Sequence, residues 1–104
     1  MVKVRVELSN DVIKITLEGH AGYSRKGEDV VCAGISGVMQ FLGIYFFNIA
    51  NIGNDFIFRR GYGYIEIPYS EENEKLIEAF LEYVNMVGKS YPGTLDVAVE
   101  LRKI

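Results

Sequence analysis

Two short runs near the N-terminus alternate with a period of two. Val2, Val4, Val6 and Leu8 are interleaved with Lys3, Arg5, Glu7 and Ser9, and Ile13, Ile15 and Leu17 with Lys14, Thr16 and Glu18. Successive side chains of a strand point to opposite faces, so each run is a strand with one apolar and one polar side. Asn10-Asp11 between them is a turn signal, and the pair reads as a hairpin. A lone hairpin is marginally stable in water. The rest of the chain must therefore cover its apolar face.

Two helices can supply that cover. Asp29 suits an N-cap, and Val31, Ile35, Val38, Leu42, Tyr45 and Ile49 then recur at helical spacing. Ala33, Gly34, Ser36 and Gly37 make the first turns of this helix small. Each glycine costs about 1 kcal/mol relative to alanine. Small residues there admit a substrate, or simply a closely packed neighbour, and spacing leaves both readings open. Residues 51–54 end the helix, and residues 55–60 and 62–68 form a second hairpin around Gly61 and Gly63. Ser70 caps a second helix, with Glu71, Glu72 and Glu74 at its positive end. Leu76, Ile77, Phe80, Leu81, Val84 and Val87 form its buried stripe, and Gly88 suits its C-terminal cap. After a loop at Tyr91-Pro92-Gly93, Leu95, Val97, Val99 and Leu101 mark a last strand. The order ββαββαβ predicts an α+β fold. It is a two-layer sandwich of two helices on a mostly antiparallel five-stranded sheet, in a single domain over residues 1–104.

The 104 residues and 49% hydrophobic content suffice for one modest core. A net charge of −3 and a pI of about 5.1 argue against a nucleic-acid binder, which carries a basic footprint. Arg25-Lys26 and Arg59-Arg60 read as solvated charges. The most apolar stretch, residues 30–52, is interrupted by Ser36, three glycines, Gln40 and Asn48, and so reads as too broken to cross a bilayer. The alternating start MVKVRVEL is unlike a signal peptide. The expectation is a soluble, cytoplasmic protein with no membrane partner.

Chemistry at neutral pH centres on two residues, the lone histidine, His20, and the lone cysteine, Cys32. One cysteine forms no internal disulfide, and one Cys with one His is too few for a zinc site from this chain. His20 leaves the second strand on its polar side, with Thr16 and Glu18. Cys32 follows the expected cap Asp29 by three residues, placing it in a helical first turn, whose positive end favours a thiolate. The loop between them, with Gly22 and Gly27 as flexible points, is long enough to fold back. An imidazole near that thiol would take its proton and return it to a leaving amine. Free backbone N–H groups around Ala33 and Gly34 would receive an oxyanion. Asp29 reads as a cap or as an orienting carboxylate for His20. Ser36, one turn after Cys32, reads as a neighbour of the site or as a packing residue. A spacing of twelve residues leaves nucleophile and structural thiol about equally supported.

Gly19-His20-Ala21, followed by D-V-V-C-A-G over residues 29–34 and by Ser36, resembles the signature of the ribosomal-processing cysteine proteases, the Prp family. The order of elements fits that family along essentially the whole chain. The resemblance implies that Cys32 is the nucleophile and His20 its general base, with Asp29 and Ser36 at further motif positions. It implies no cofactor and no metal, and a dimeric α+β protein. The implied substrate is the precursor of large-subunit ribosomal protein twenty-seven, cut after a hydrophobic and aromatic stretch to remove a short N-terminal extension. Residues 23–26, Tyr-Ser-Arg-Lys, are bulkier and more basic than the family's glycine-rich loop.

The aromatic residues Phe41, Tyr45, Phe46, Phe47, Phe56, Phe58, Tyr62 and Tyr64 are expected mostly in the core or at a dimer surface, a minority lining a peptide groove. Phe46-Phe47 covers two helix faces, which motivates a homodimer. Two other functions compete with the protease. A non-catalytic ribosome-associated or RNA-binding module would bind with steep salt dependence. A redox-sensing thiol would need a resolving cysteine that this chain lacks.

Overall fold

The computed structural model describes residues 1–19 and 28–102. Strands β1 (Val2–Ser9) and β2 (Val12–Glu18) form the first hairpin. Helix α1 (Glu28–Ile44) follows and runs on into a π-helical turn, Tyr45–Ile49. Then come β3 (Asp55–Arg59), β4 (Tyr62–Pro68), α2 (Glu71–Ser90) and β5 (Leu95–Arg102). The five strands form one sheet in the order β3-β4-β2-β1-β5. Only the β1–β5 pair is parallel; α2 carries the chain from β4 across the sheet to β5, beside β1. This is the α+β architecture expected from the pattern.

Register keeps the alternation in phase across the sheet. Val4 faces Leu17 and Val6 faces Ile15, while Ile15 and Ile13 face Ile65 and Ile67. One face is therefore continuously apolar. Both helices lie on it. Val31, Ile35, Met39, Leu42 and Phe46 from the α1 segment, and Ile77, Phe80 and Val84 from α2, are buried against the strands.

The α1 stripe differs from the sequence reading. Met39 and Phe46 are fully buried, whereas Tyr45 is 39% exposed and Ile49 71% exposed. Two causes act together. Apolar residues surround this helix, so their spacing does not fix which face turns inward. The Ala50 N–H then donates to the Tyr45 carbonyl over 2.7 Å, an i→i+5 bond that shifts the phase of the last turn. Phe46 and Phe47 also find partners within the chain. Phe46 is buried, and Phe47 stacks on Phe56 at 5.5 Å between ring centroids. That pair therefore does not call for a second subunit.

Two boundaries and one expectation about the membrane are corrected as well. Gly88 lies inside α2, and Tyr91 forms the C-cap, its N–H donating to the Val87 carbonyl over 2.9 Å. Gly63 is a buried residue of β4, not a turn residue; a Cβ there would lie 3.4 Å from the tip of Met39. Residues Val30–Ile49 are long and apolar enough to cross a membrane by length and composition, contrary to the expectation. The interruptions noted in the sequence are all uncharged, so they do not lower the apolar character enough to exclude a span. In this fold the segment packs one face on the sheet.

A candidate active site at the head of the first helix

The start of β1, the end of β2, the turn between β3 and β4 and the start of α1 meet at one end of the sheet. The registers Lys3–Glu18, Glu18–Tyr62 and Arg59–Tyr62 bring the strand ends together. Gly19 closes the junction. Its N–H donates to the Gly61 carbonyl over 3.1 Å, and its φ is +120°. A Cβ at Gly19 would lie 2.5 Å from the Met1 carbonyl oxygen, so this position requires glycine for both space and conformation.

A cavity of about 20 Å³ opens at this junction. That is room for about one water molecule. Cys32 and Ser36 enter it from α1, and Val2, Leu17 and Gly19 from the first hairpin. Phe58, Arg59, Gly61 and Tyr62 close it from the second. Cys32 is half-buried and carries a free thiol, and it also packs against the core. The helical spacing of Cys32 and Ser36 does put both on one wall of the cavity.

Several sequence-predicted positions lie elsewhere. The helix begins at Glu28, so Asp29 is its second residue and not its cap. Both acidic residues suit the positive end of a helix, which is why the sequence does not single out the boundary. Cys32 is accordingly the fifth helical residue, just beyond the first turn. Ala33 and Gly34 lie deeper still, where α-helical N–H groups bond to carbonyls four residues back, here those of Asp29 and Val30. Their N–H groups are not free for an oxyanion. Gly34 instead admits α2: a Cβ there would lie 3.0 Å from the Tyr83 hydroxyl. Among the described residues nothing lies within 4 Å of a Cβ at Gly37. The packing reading of the small first turns therefore holds at Gly34. His20, Gly22, Gly27 and residues 23–26 lie outside the described residues.

Sequence reasoning gave the Phe58–Tyr62 wall no specific role. The Arg59 guanidinium stacks over the Tyr62 ring at 5.1 Å, a cation–π contact that orders this hairpin end. The register of β4 on β2 brings it to the cavity, and that pairing joins segments distant in sequence.

A family model described as cysteine protease Prp matches residues 1–96. The ribosomal processing cysteine protease Prp of Bacillus subtilis (strain 168) is 26% identical over 115 residues, covering 97% of this chain and 99% of that protein. Among solved structures, SMU.848 from Streptococcus mutans superposes with a TM-score of 0.77 at 23% identity, covering 98% of this chain and 96% of the other. The essential ribosomal processing protease Prp from S. aureus, solved in complex with a substrate peptide, gives 0.72 at 17% identity, covering 96% and 100%. The two superpositions establish a shared fold, and the family match extends over nearly the whole chain, including the half-buried thiol at the head of α1. The chain belongs to the Prp family of cysteine proteases.

Proposed function

We propose that this protein is a cytoplasmic cysteine endopeptidase that removes a short N-terminal extension from the precursor of large-subunit ribosomal protein twenty-seven. The observation that carries the reading is the position of Cys32, which lines a cavity bounded by Gly19, the residue that precedes His20 in the sequence. Two relatives support the substrate class. The B. subtilis relative is named for ribosomal processing, and the S. aureus relative was solved with a substrate peptide.

In this reading His20 takes the Cys32 proton, and the thiolate sulfur attacks the scissile carbonyl carbon. A C–S bond forms while the carbonyl π pair moves onto oxygen. Collapse of that oxyanion breaks the C–N bond, and the imidazolium donates its proton to the departing amine. Water, deprotonated by the now neutral imidazole, attacks the thioester, releasing the carboxylate and restoring the thiol. Asp29 and Ser36 are supporting positions. Ser36 shares the cavity wall with the nucleophile, one helical turn on. No metal or cofactor enters these steps, and no nucleic acid is bound.

The test incubates purified protein with the precursor and reads the product by mass. A single cut that removes the N-terminal extension is expected, and His20→Ala should abolish it while retaining the wild-type circular dichroism spectrum. An uncut precursor, or steeply salt-dependent binding to structured RNA in place of cleavage, would overturn the reading.

We propose further that the protein is a homodimer. An apolar groove of about 240 Å³ runs between α1 and α2, bordered by Phe41, Leu76 and Phe80. Phe41 is 71% exposed, and Ile44 on the same helix is 53% exposed. Exposed apolar patches of this kind mark interaction surfaces. Sedimentation at micromolar concentration should show a dimer that Phe41→Ser weakens; a monomer would contradict it.

A further inference from the structure

We infer that the free edge of β3 is the docking strand for the peptide substrate, which adds to the sheet as a sixth strand and so brings its scissile bond to Cys32. The inference rests on the peptidase reading above and adds the mode of recognition.

β3 is one of the two edge strands, and among the described residues only β4 pairs with it. In an antiparallel pair alternate residues turn their N–H and C=O groups to the partner, so the others of β3 face outward unpaired. Edges are normally protected by lysine, proline or a bulge. The middle of this one is Phe56-Ile57-Phe58, with charge only at its ends, Asp55 and Arg59. Ile57 and Phe58 are 39% and 38% exposed. An open apolar edge is an aggregation hazard unless something uses it.

Continuity with the site identifies the user. Phe58 and Arg59, the last residues of β3, line the same cavity as Cys32 and Ser36. A strand laid along this edge therefore ends beside the cavity that Cys32 lines. Five residues at about 3.3 Å each give a docking length of about 17 Å. Along it runs a row of rings, with Phe47 stacked on Phe56 and Phe58 beyond at 6.4 Å. Recognition of this kind takes affinity from the backbone and specificity from every second side chain. The occupant is thus an extended peptide with apolar side chains on the Phe56 and Phe58 side.

The opposite edge does not offer the same. β5 also has a free side, with Val99 48% and Leu101 68% exposed. Its cavity end is Leu95, opposite Val2, so those exposed residues lie at the far end of the strand. Asp96, Glu100 and Arg102 also interrupt it with charge.

Two measurements with one probe test this, the probe being a synthetic peptide that spans the expected cleavage site of the ribosomal precursor. In the first, the peptide backbone is N-methylated one position at a time and cleaved by the wild-type protein. Losses of about tenfold in kcat/KM are expected at alternate positions, the equivalent of one lost hydrogen bond, with little change between them. An unmodified peptide that is cut, with no alternation on methylation, overturns the inference and leaves the peptidase reading standing. In the second, amide hydrogen exchange of Cys32→Ala is followed with and without the peptide. New protection within residues 55–59 is expected. Protection on β5 instead, or protection of residues 55–59 that grows with protein concentration in the absence of peptide, overturns the inference; the latter makes a second copy the occupant. A peptide that protects residues 55–59 yet is never cut supports the docking strand and overturns the peptidase reading.

Discussion

The two helices lie side by side on one sheet and are built on opposite principles. α2 follows local rules throughout. Ser70, in an extended conformation, accepts a bond from the Asn73 N–H over 3.0 Å. Glu71, Glu72 and Glu74 complement its positive end, Lys89 its negative end, and Ile77, Phe80 and Val84 face inward. α1 has no charged residue after Asp29, contains Gly34, Gly37 and Gly43, and ends in a π-helical turn. Little in its own sequence favours the helix, so it is held by burial on the sheet. The chain thus gives up local stability in one helix and not in the other. It does so in the helix that brings Cys32 and Ser36 to the cavity, and departures of this kind gather at working sites.

Phe46 is fully buried at the π-helical turn and meets Tyr45 edge-on at 5.2 Å. Phe46→Ala should cost about 3–5 kcal/mol in urea unfolding. A loss no greater than that of a helix cap would mean that burial is not what holds α1. Within α1 two glycines should respond with opposite signs. A Cβ at Gly43 would lie 2.5 Å from the Phe56 ring, which Phe47 already stacks against. Gly43→Ala should therefore lose about 1–3 kcal/mol through overpacking. Gly37→Ala meets nothing among the described residues and should gain about 1 kcal/mol from helix propensity. Equal effects at the two sites would contradict the packing described. In α2, Ser70→Ala should cost about 1 kcal/mol, the ordinary value of a cap.

The smallest effect is one of pH. The Tyr64 hydroxyl donates to the Glu66 carboxylate over 2.8 Å, and burial, with that bond and the Glu66 charge adding to it, holds its pKa well above the ordinary 10. The folded chain thus keeps a proton that the unfolded chain loses. This contribution is complete below pH 10 and is lost as pH rises beyond it. Thermal unfolding between neutral pH and strongly alkaline pH should show that decline in wild type and a shallower one in Tyr64→Phe. Identical slopes would remove Tyr64 from the alkaline response.

What the sequence revealed follows the same contrast. Both hairpins, the Ser70 cap and the stripe of α2 were legible, because alternation, turn residues and caps act over a few neighbours. The inward face of α1 was not, because residues such as Phe41 and Ile44 are apolar on its outer side and hide the period. The parallel pairing of β5 with β1 was equally hidden, since only the α2 crossover decides it. At the site, the shared helical face of Cys32 and Ser36 could be read from their spacing. The opposite wall, Phe58 to Tyr62, could not, because it reaches the cavity through the pairing of β4 with β2. The helix starts two residues earlier than an Asp29 cap implies, and with that shift the cap reading of Asp29 and the free N–H groups expected at Ala33 and Gly34 are lost.

If the half-buried thiol at the head of α1 is the attacking group, removing its sulfur must stop cleavage without disturbing the fold. Wild-type protein and Cys32→Ala, matched in circular dichroism and thermal midpoint, are incubated with the ribosomal precursor and the products are weighed. The account predicts a truncated precursor with wild type and an unchanged precursor with Cys32→Ala. Truncation at the same bond by the alanine variant would contradict it.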